Sequence, residues 1–240
     1  MATTPNRPAY PPGIPSKFAA DGTVVRFPGN TLLCHIPQNS PLQPVLRSIY
    51  SAINRHPKLS KVFRLLPPES WHMTVLDGFR EEECEGGMWP KGLSKRPLSE
   101  MTEILTVSLK KIGLELEKQG LAPPYRVRFV GFDNKPVGLA LVIKGATEDE
   151  ERRLRRLRDV LAEVLGYRAP NHDRYGFHVS VAYLLRHLDE ENLDGEMNDL
   201  LDKEIKAGRG TEFSLGAVEF CTFEDMFSFP RLFYLGETER

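Results

Sequence analysis

The chain has 240 residues, of which 40% are apolar and 27% charged, with a formal net charge of −1 and a pI near 6.6. These values suit one folded domain or two small lobes and argue against the broad basic field of a protein that grips long nucleic acid. Cys34, Cys84 and Cys221 are widely spaced with no CxxC, which argues against a disulfide scaffold or zinc ribbon and points to a reducing, cytoplasmic setting.

Residues 1–17 carry Pro5, Pro8, Pro11, Pro12 and Pro15 and no apolar core of a secretory signal. They are expected to form an extended arm, loose or draped over the surface, ahead of a single domain over 18–240. No run approaches the roughly 18 apolar residues that span a bilayer. "TVVRFPGNTLLCHIP" reads as strand broken by Pro-Gly. In the next stretch Leu42, Val45, Leu46, Ile49 and Ile53 fall on one helical face, and Pro57 ends the pattern. "SWHMTVLDGF" then reads as a strand. Residues 80–98, rich in Glu, Gly, Pro and Lys, read as a loop that could act as a lid through Gly86-Gly87. A helix is expected from about Ser99 to Lys118.

The second half repeats the order. "YRVRFVGFD" and "VGLALVIKG" read as strands around a turn. A helix follows from about Thr147 to Leu165, with Thr147 and Glu150 in capping-box spacing. Its stripe is Leu154, Leu157, Val160, Leu161, Val164 and Leu165, and the basic run "ERRLRRLRD" is expected to be its outer face. "YGFHVSVAYLL" is the next strand, Asp189 to Lys206 a helix, and "EFSLGAVEFCTF" and "RLFYLG" the closing strands. Paired short strands between helices favour antiparallel pairing in an α+β arrangement.

Each half thus ends on a strand that carries an imidazole and a hydroxyl two positions apart. Side chains alternate across a strand. Trp71, Met73 and Val75 are expected on one face, with His72, Thr74 and Leu76 opposite. In the second strand Phe177, Val179, Val181 and Tyr183 share a face, and Gly176, His178, Ser180, Ala182 and Leu184 oppose them. Two imidazoles on one cleft can serve as general base and general acid, and two hydroxyls can donate to a charged phosphoryl oxygen. That set suits hydrolysis of a phosphodiester without a metal or other cofactor.

"HMTV" and "HVSV", 106 positions apart, resemble the paired His-x-Thr/Ser signatures of the 2H phosphoesterase superfamily, which includes RNA 2′,3′-cyclic phosphodiesterases and 2′-5′ RNA ligase-like proteins. "DGTVVRFPGNTLLCHIP", "WHMTVLDGF" and "YGFHVSVAYLL" together resemble a less characterised fungal and bacterial branch of it, and the likeness covers about residues 18–237. The resemblance implies a bilobal α+β fold of two antiparallel sheets, related by a pseudo-twofold, with helices outside and a central cleft. It implies catalysis by His72 and His178 and phosphate binding by Thr74 and Ser180, and leaves open which imidazole is the base. The expected partner is a nucleoside 2′,3′-cyclic phosphate, opened to a 2′-phosphate, or a short RNA end. Neither a membrane nor long nucleic acid is expected, and the chain is expected to be monomeric. The alternatives are a phosphodiesterase or exonuclease acting on RNA ends, ADP-ribose cyclic phosphate or 2′-5′ linkages, or a non-catalytic nucleotide- or RNA-binding module.

Beside the pair, His35 ends the first strand near the cleft, and Arg174 stands at the entrance of the second strand. Phe79, Tyr175, Trp89 and Phe227 are aromatics that could stack on a base. His56, His172 and His187 read as helix-end and loop histidines.

Overall fold

The computed structural model describes residues 7–82, 90, 93–189 and 191–237, with the backbone alone at 134 and 135. The chain begins with strand β1 (Gly29–His35), helix α1 (Gln43–Arg55), a single turn α2 (Leu59–Val62), β2 (Phe63–Leu65) and β3 (His72–Arg80). Helices α3 (Leu98–Lys110) and α4 (Gly113–Lys118) lead to β4 (Tyr125–Lys135) and β5 (Gly138–Gly145). Then come α5 (Glu148–Leu165), β6 (His178–Leu184), α6 (Asp194–Gly208), β7 (Glu212–Leu215), β8 (Glu219–Phe223) and β9 (Arg231–Tyr234).

The strands form one antiparallel nine-stranded sheet in the order β7-β4-β5-β6-β3-β1-β8-β9, with β2 attached to β6. Two separate sheets were expected. One arises because the two motif strands meet at the centre, where Met73 pairs with Val179. This contact is short, a single rung between β3 and β6, whereas β1–β3 and β5–β6 each run for several.

The helices lie over one face. Leu46, Ile49 and Ile53 of α1, Met101, Leu105 and Leu109 of α3, and Leu154, Leu157 and Leu161 of α5 join Met73, Val75, Val179 and Val181 in one buried cluster. Burying each such side chain contributes about 1.5–3 kcal/mol, so this face is the core. A second, smaller cluster lies on the opposite face. There Leu33, Cys221 and Phe223 are covered by Phe18 and Phe27 from the N-terminal segment and by Met226 and Phe229 from the β8–β9 loop.

Capping is as the sequence suggests at α5, where the Thr147 side chain accepts from the Glu150 N–H at 3.2 Å and Gly166 closes the helix in the left-handed region at φ 65°. Two helices depart from their expected bounds. The stretch from Ser99 to Lys118 is two helices, broken ahead of Gly113, whose Cβ, if present, would lie 2.4 Å from the Gly236 Cα. The last helix starts at Asp194 rather than Asp189, because Asn192 takes a positive φ of 55°. From residue 7 onward the N-terminal segment lies against the fold: His187 Nε2 meets the Pro8 carbonyl at 3.0 Å, and Arg7 pairs with Asp189. Residues 83–89, 91 and 92, which hold Gly86, Gly87 and Trp89 of the expected lid, lie outside the described residues. Among the described residues no helix is long and apolar enough to cross a membrane.

Candidate active site

The central pairing decides how the two motifs meet. Met73 opposes Val179, so carrying the antiparallel register one residue each way sets His72 against Ser180 and Thr74 against His178. The four side chains rise from the same face, away from the helices, and form a crossed square. Imidazoles occupy one diagonal and hydroxyls the other, with diagonal residues roughly 7–8 Å apart.

Each imidazole is held in the same way. His72 Nδ1 meets the Ser70 carbonyl at 2.6 Å, and His178 Nδ1 meets the Gly176 carbonyl at 2.8 Å. A carbonyl only accepts, so Nδ1 is the donor in both rings and Nε2 carries the lone pair of the neutral form. The partner is two residues upstream each time, where the chain turns out of a short 3-10 segment, Pro68–Ser70 or His172–Arg174, into the strand.

The strands share a second device. In the β1–β3 pairing Leu33 faces Thr74 while Leu32 faces Leu76, so the register shifts and Val75 is an extra residue. The β5–β6 register shifts likewise, Ala140 facing Ser180 and Leu139 facing Ala182, so Val181 is extra. A β-bulge thus follows each hydroxyl residue directly. Simple alternation, expected to carry Leu76, Ala182 and Leu184 onto the cleft face, fails here. Leu76, Ala182 and Leu184 join the helix-side core, and the bulges turn Asp77 and Tyr183 to the cleft face instead.

The surroundings of the two imidazoles differ. His35 pairs directly with His72 across β1–β3, with ring centroids 6.1 Å apart. The Phe229 ring sits 4.3 Å from the His72 ring. Buried Glu219 holds His35 through Nδ1 at 3.0 Å and the backbone N–H at 3.2 Å, and also binds Arg231 at 3.2 Å. Burial drives the His72 imidazole down to about 4, helped by the neighbouring charges of His35 and His178 and opposed by the Ser70 bond. Burial would raise the Glu219 carboxyl, but the bonds from His35 and Arg231 outweigh it and hold it below its usual value.

His178 borders Tyr175, whose ring centroid is 5.8 Å away. Tyr175 is no exposed stacking platform. It is buried beside the Thr74 side chain, and burial raises its pKa. Arg158 lies beneath it, 2% exposed, with its guanidinium carbon 4.0 Å from the ring centroid and its nitrogens donating to the Val75 and His172 carbonyls. Arg155 donates to the Tyr175 carbonyl and stacks on Phe177 at 4.7 Å. The basic run expected on the outer face of α5 therefore turns two arginines toward the entrance of β6, because the aromatic rings there offer their faces to the guanidinium groups.

Other candidates fall away from the square. Phe79 is fully buried in the helix-side core, 5.8 Å from the Tyr167 ring, because it lies beyond the bulge. Phe227 packs on Phe18 at 5.7 Å, while Phe229, which the sequence does not single out, takes the place beside His72. Arg174 is exposed in the 3-10 turn before β6. His56 caps α2, its Nδ1 accepting from the Leu59 N–H at 3.1 Å, and His172 is buried against Asp159 at 3.0 Å.

Two groups hold potential metal ligands within 4.8 Å of one another: His35, Glu219 and Cys221, and Asp159, His172 and Asp173. In the first, Arg231 already engages Glu219, and burial pushes the Cys221 thiol up to about 12. In the second, Arg168 bridges both aspartates. A cavity of about 440 Å³ lies elsewhere, between α4 and β9, lined by Leu116, Pro123, Ala217 and Tyr234. It holds none of the paired chemistry.

The family model described as 2H-phosphodiest, domain of unknown function DUF1868, matches residues 17–122. Over that stretch the chain is similar to the 2H phosphoesterase superfamily. The 2H match spans the His72 motif, and the His178 motif follows beyond it in the sequence, brought to the same cleft by the β3–β6 pairing. A solved structure of a conserved protein of unknown function, ATU0111 from Agrobacterium tumefaciens str. C58, is 28% identical over 97% of this chain and 96% of that one, with a TM-score of 0.82. TT0787 of Thermus thermophilus is a fainter likeness, 15% identical over 90% of this chain and all of that one at a TM-score of 0.49. No curated protein matches the chain.

Proposed function

We propose that the protein is a metal-independent phosphodiesterase that opens nucleoside 2′,3′-cyclic phosphates to 2′-phosphates, working as a monomer in the cytoplasm. The observation that carries this reading is the crossed square, two oriented imidazoles on one diagonal and two hydroxyls on the other. A phosphoryl group above its centre meets the hydroxyls of Thr74 and Ser180 on two sides and an imidazole Nε2 on each of the other two. That is the arrangement in-line displacement requires.

The unequal surroundings suggest the roles. His72, held neutral at pH 7, takes a proton from the attacking water. His178 in its protonated form gives one to the ribose 3′ oxygen as the P–O3′ bond breaks. One P–O bond forms, one breaks, and each imidazole ends in the other's starting protonation state. Bound substrate, carrying negative charge, raises the His72 pKa toward the range where a base is most effective.

The test is an assay of nucleoside 2′,3′-cyclic phosphates in the presence of a chelator, with the phosphate position in the product read by phosphorus NMR. Turnover to a 2′-phosphate supports the reading. Tight binding with no turnover between pH 5 and 9 would instead make the protein a nucleotide-binding module.

A further inference from the structure

The face that carries the square is covered on one side and open on the other. Over β1 and β8 it is capped by Phe18, Phe27, Met226 and Phe229. Over β5 and β4 the next residues outward are small or half-buried. Ala140 faces Ser180, Val142 faces His178, and Gly131 faces Val142. A Cβ on Gly131 or Gly176 would meet nothing within 4 Å. A substrate that extends beyond the scissile phosphate has room only on this side.

On this open face the row next to His178 holds two cations. Lys144 follows Val142 by two residues on β5 and so shares its face, a diagonal neighbour of His178 at roughly 7–8 Å. Arg128 opposes Lys144 directly across β4–β5. Both are exposed, and Phe129 and Ile143, the pair beside them, point into the helix-side core. Like charges directly opposite on an antiparallel pair repel. Among the described residues neither side chain has a hydrogen-bond or ion-pair partner. Glu212 opposes Arg128 from β7, but its carboxylate bonds Arg126 at 3.1 Å. Asp133, the other acid on this face of β4, stands opposite Ala140 on the far side of Gly131. An exposed cation pair with no ion-pair partner among the described residues, one row from the acid–base pair, is arranged for an anion supplied from outside.

We propose that Arg128 and Lys144 form a second anion site that holds a phosphate beyond the scissile one, so that the preferred substrate carries at least two phosphate groups. This rests on the phosphodiesterase reading of the square. The second phosphate has two sources, a 5′-phosphate on the same nucleoside or the internucleotide phosphate of an RNA end.

Three substrates separate the cases: a nucleoside 2′,3′-cyclic phosphate, its 5′-phosphorylated form, and a dinucleotide ending in a 2′,3′-cyclic phosphate. The expected result is a kcat/KM at least about 10-fold higher for one or both doubly charged substrates, carried by KM. In Arg128→Ala/Lys144→Ala that ratio falls to near one. Whichever compound shows the preference names the source. Equal kcat/KM for all three, or a preference untouched by the double substitution, overturns the proposal and leaves the phosphodiesterase reading standing. If none is turned over, that reading fails, and calorimetric binding of a nucleoside 2′,5′-bisphosphate against the 2′-monophosphate decides the site alone. An advantage of about 10-fold for the bisphosphate that the double variant loses upholds it; no advantage refutes it. Removing the repulsion should leave the double variant's Tm equal to or above that of the parent, which excludes misfolding as the cause.

Discussion

The His72 and His178 halves of the sheet are alike in their first three residues and different in all that surrounds them. Both strands begin on an imidazole whose Nδ1 meets the carbonyl two residues back, present a hydroxyl next, and bulge at the following valine. After that the halves part. The first places Phe229 against its imidazole and a Glu219-bound His35 beside it, under an apolar cap. The second stands next to a buried Tyr175 resting on Arg158 and opens onto Val142, Gly131 and a cation pair. A shared backbone device aims the two rings at one point, and unequal cover makes them chemically different.

If both halves are needed, His72→Ala and His178→Ala should each lower kcat by about 10²–10⁴-fold, with the circular dichroism spectrum intact. An undiminished rate in either variant would show that one half merely imitates the other. The next effect in size belongs to the second half's support. Arg158→Met removes donors to two buried carbonyls and the cation on the Tyr175 ring, so it should lower stability by about 2–4 kcal/mol in denaturant titrations. A stability loss much smaller than that would mean the arginine is incidental to how β6 is held.

The low His72 pKa makes a pH prediction for the first half. With its pKa at about 4 in the fold against 6.5 in the unfolded chain, the imidazole binds its proton in the unfolded state first. Stability is therefore level above pH 6.5 and falls as pH drops from there to about 4, by on the order of 3 kcal/mol in all. His72→Gln should abolish that component of the urea-midpoint profile. In kcat/KM the acid limb should lie well below pH 6.5, and His35→Gln, which removes a repelling neighbour, should move it upward. A limb at 6.5 would place His72 in a solvated setting.

Thr74→Ala and Ser180→Ala should each reduce kcat/KM by about 10–100-fold. Tyr175→Phe, which removes the hydroxyl beside the Thr74 side chain, should cost less than about 10-fold. An effect as large as that of Thr74→Ala would promote Tyr175 from a neighbour of Thr74 to a contact of the substrate itself.

Much of this was legible in the residues. Strong period-2 runs carrying His-x-Thr and His-x-Ser marked both strands, and the stripe of α5 with its Thr147 cap marked its helix. What was illegible has a common cause in long-range contact. A bulge leaves no mark in "HMTVLD" or "HVSVAY", since the extra residue is defined only against the neighbouring strand, and so Tyr183 looked as though it faced the core and Leu76 as though it faced the cleft. Arg158 reads as solvated at its helical spacing until Tyr175 is placed over it. Phe229 comes from a loop whose position against His72 depends on β8 and β9 pairing at the sheet's far side.

The residue types alone settle the chemistry on offer: two imidazoles and two hydroxyls on β-patterned runs, because alternation is a local property of the strand. Which imidazole meets which hydroxyl, which ring is driven neutral, and which side lies open follow from one cross-strand contact, Met73 against Val179, and from what packs over each half. Register, burial and the field of neighbouring charges are relations between segments distant in the chain, and they come into being only when those segments fold together.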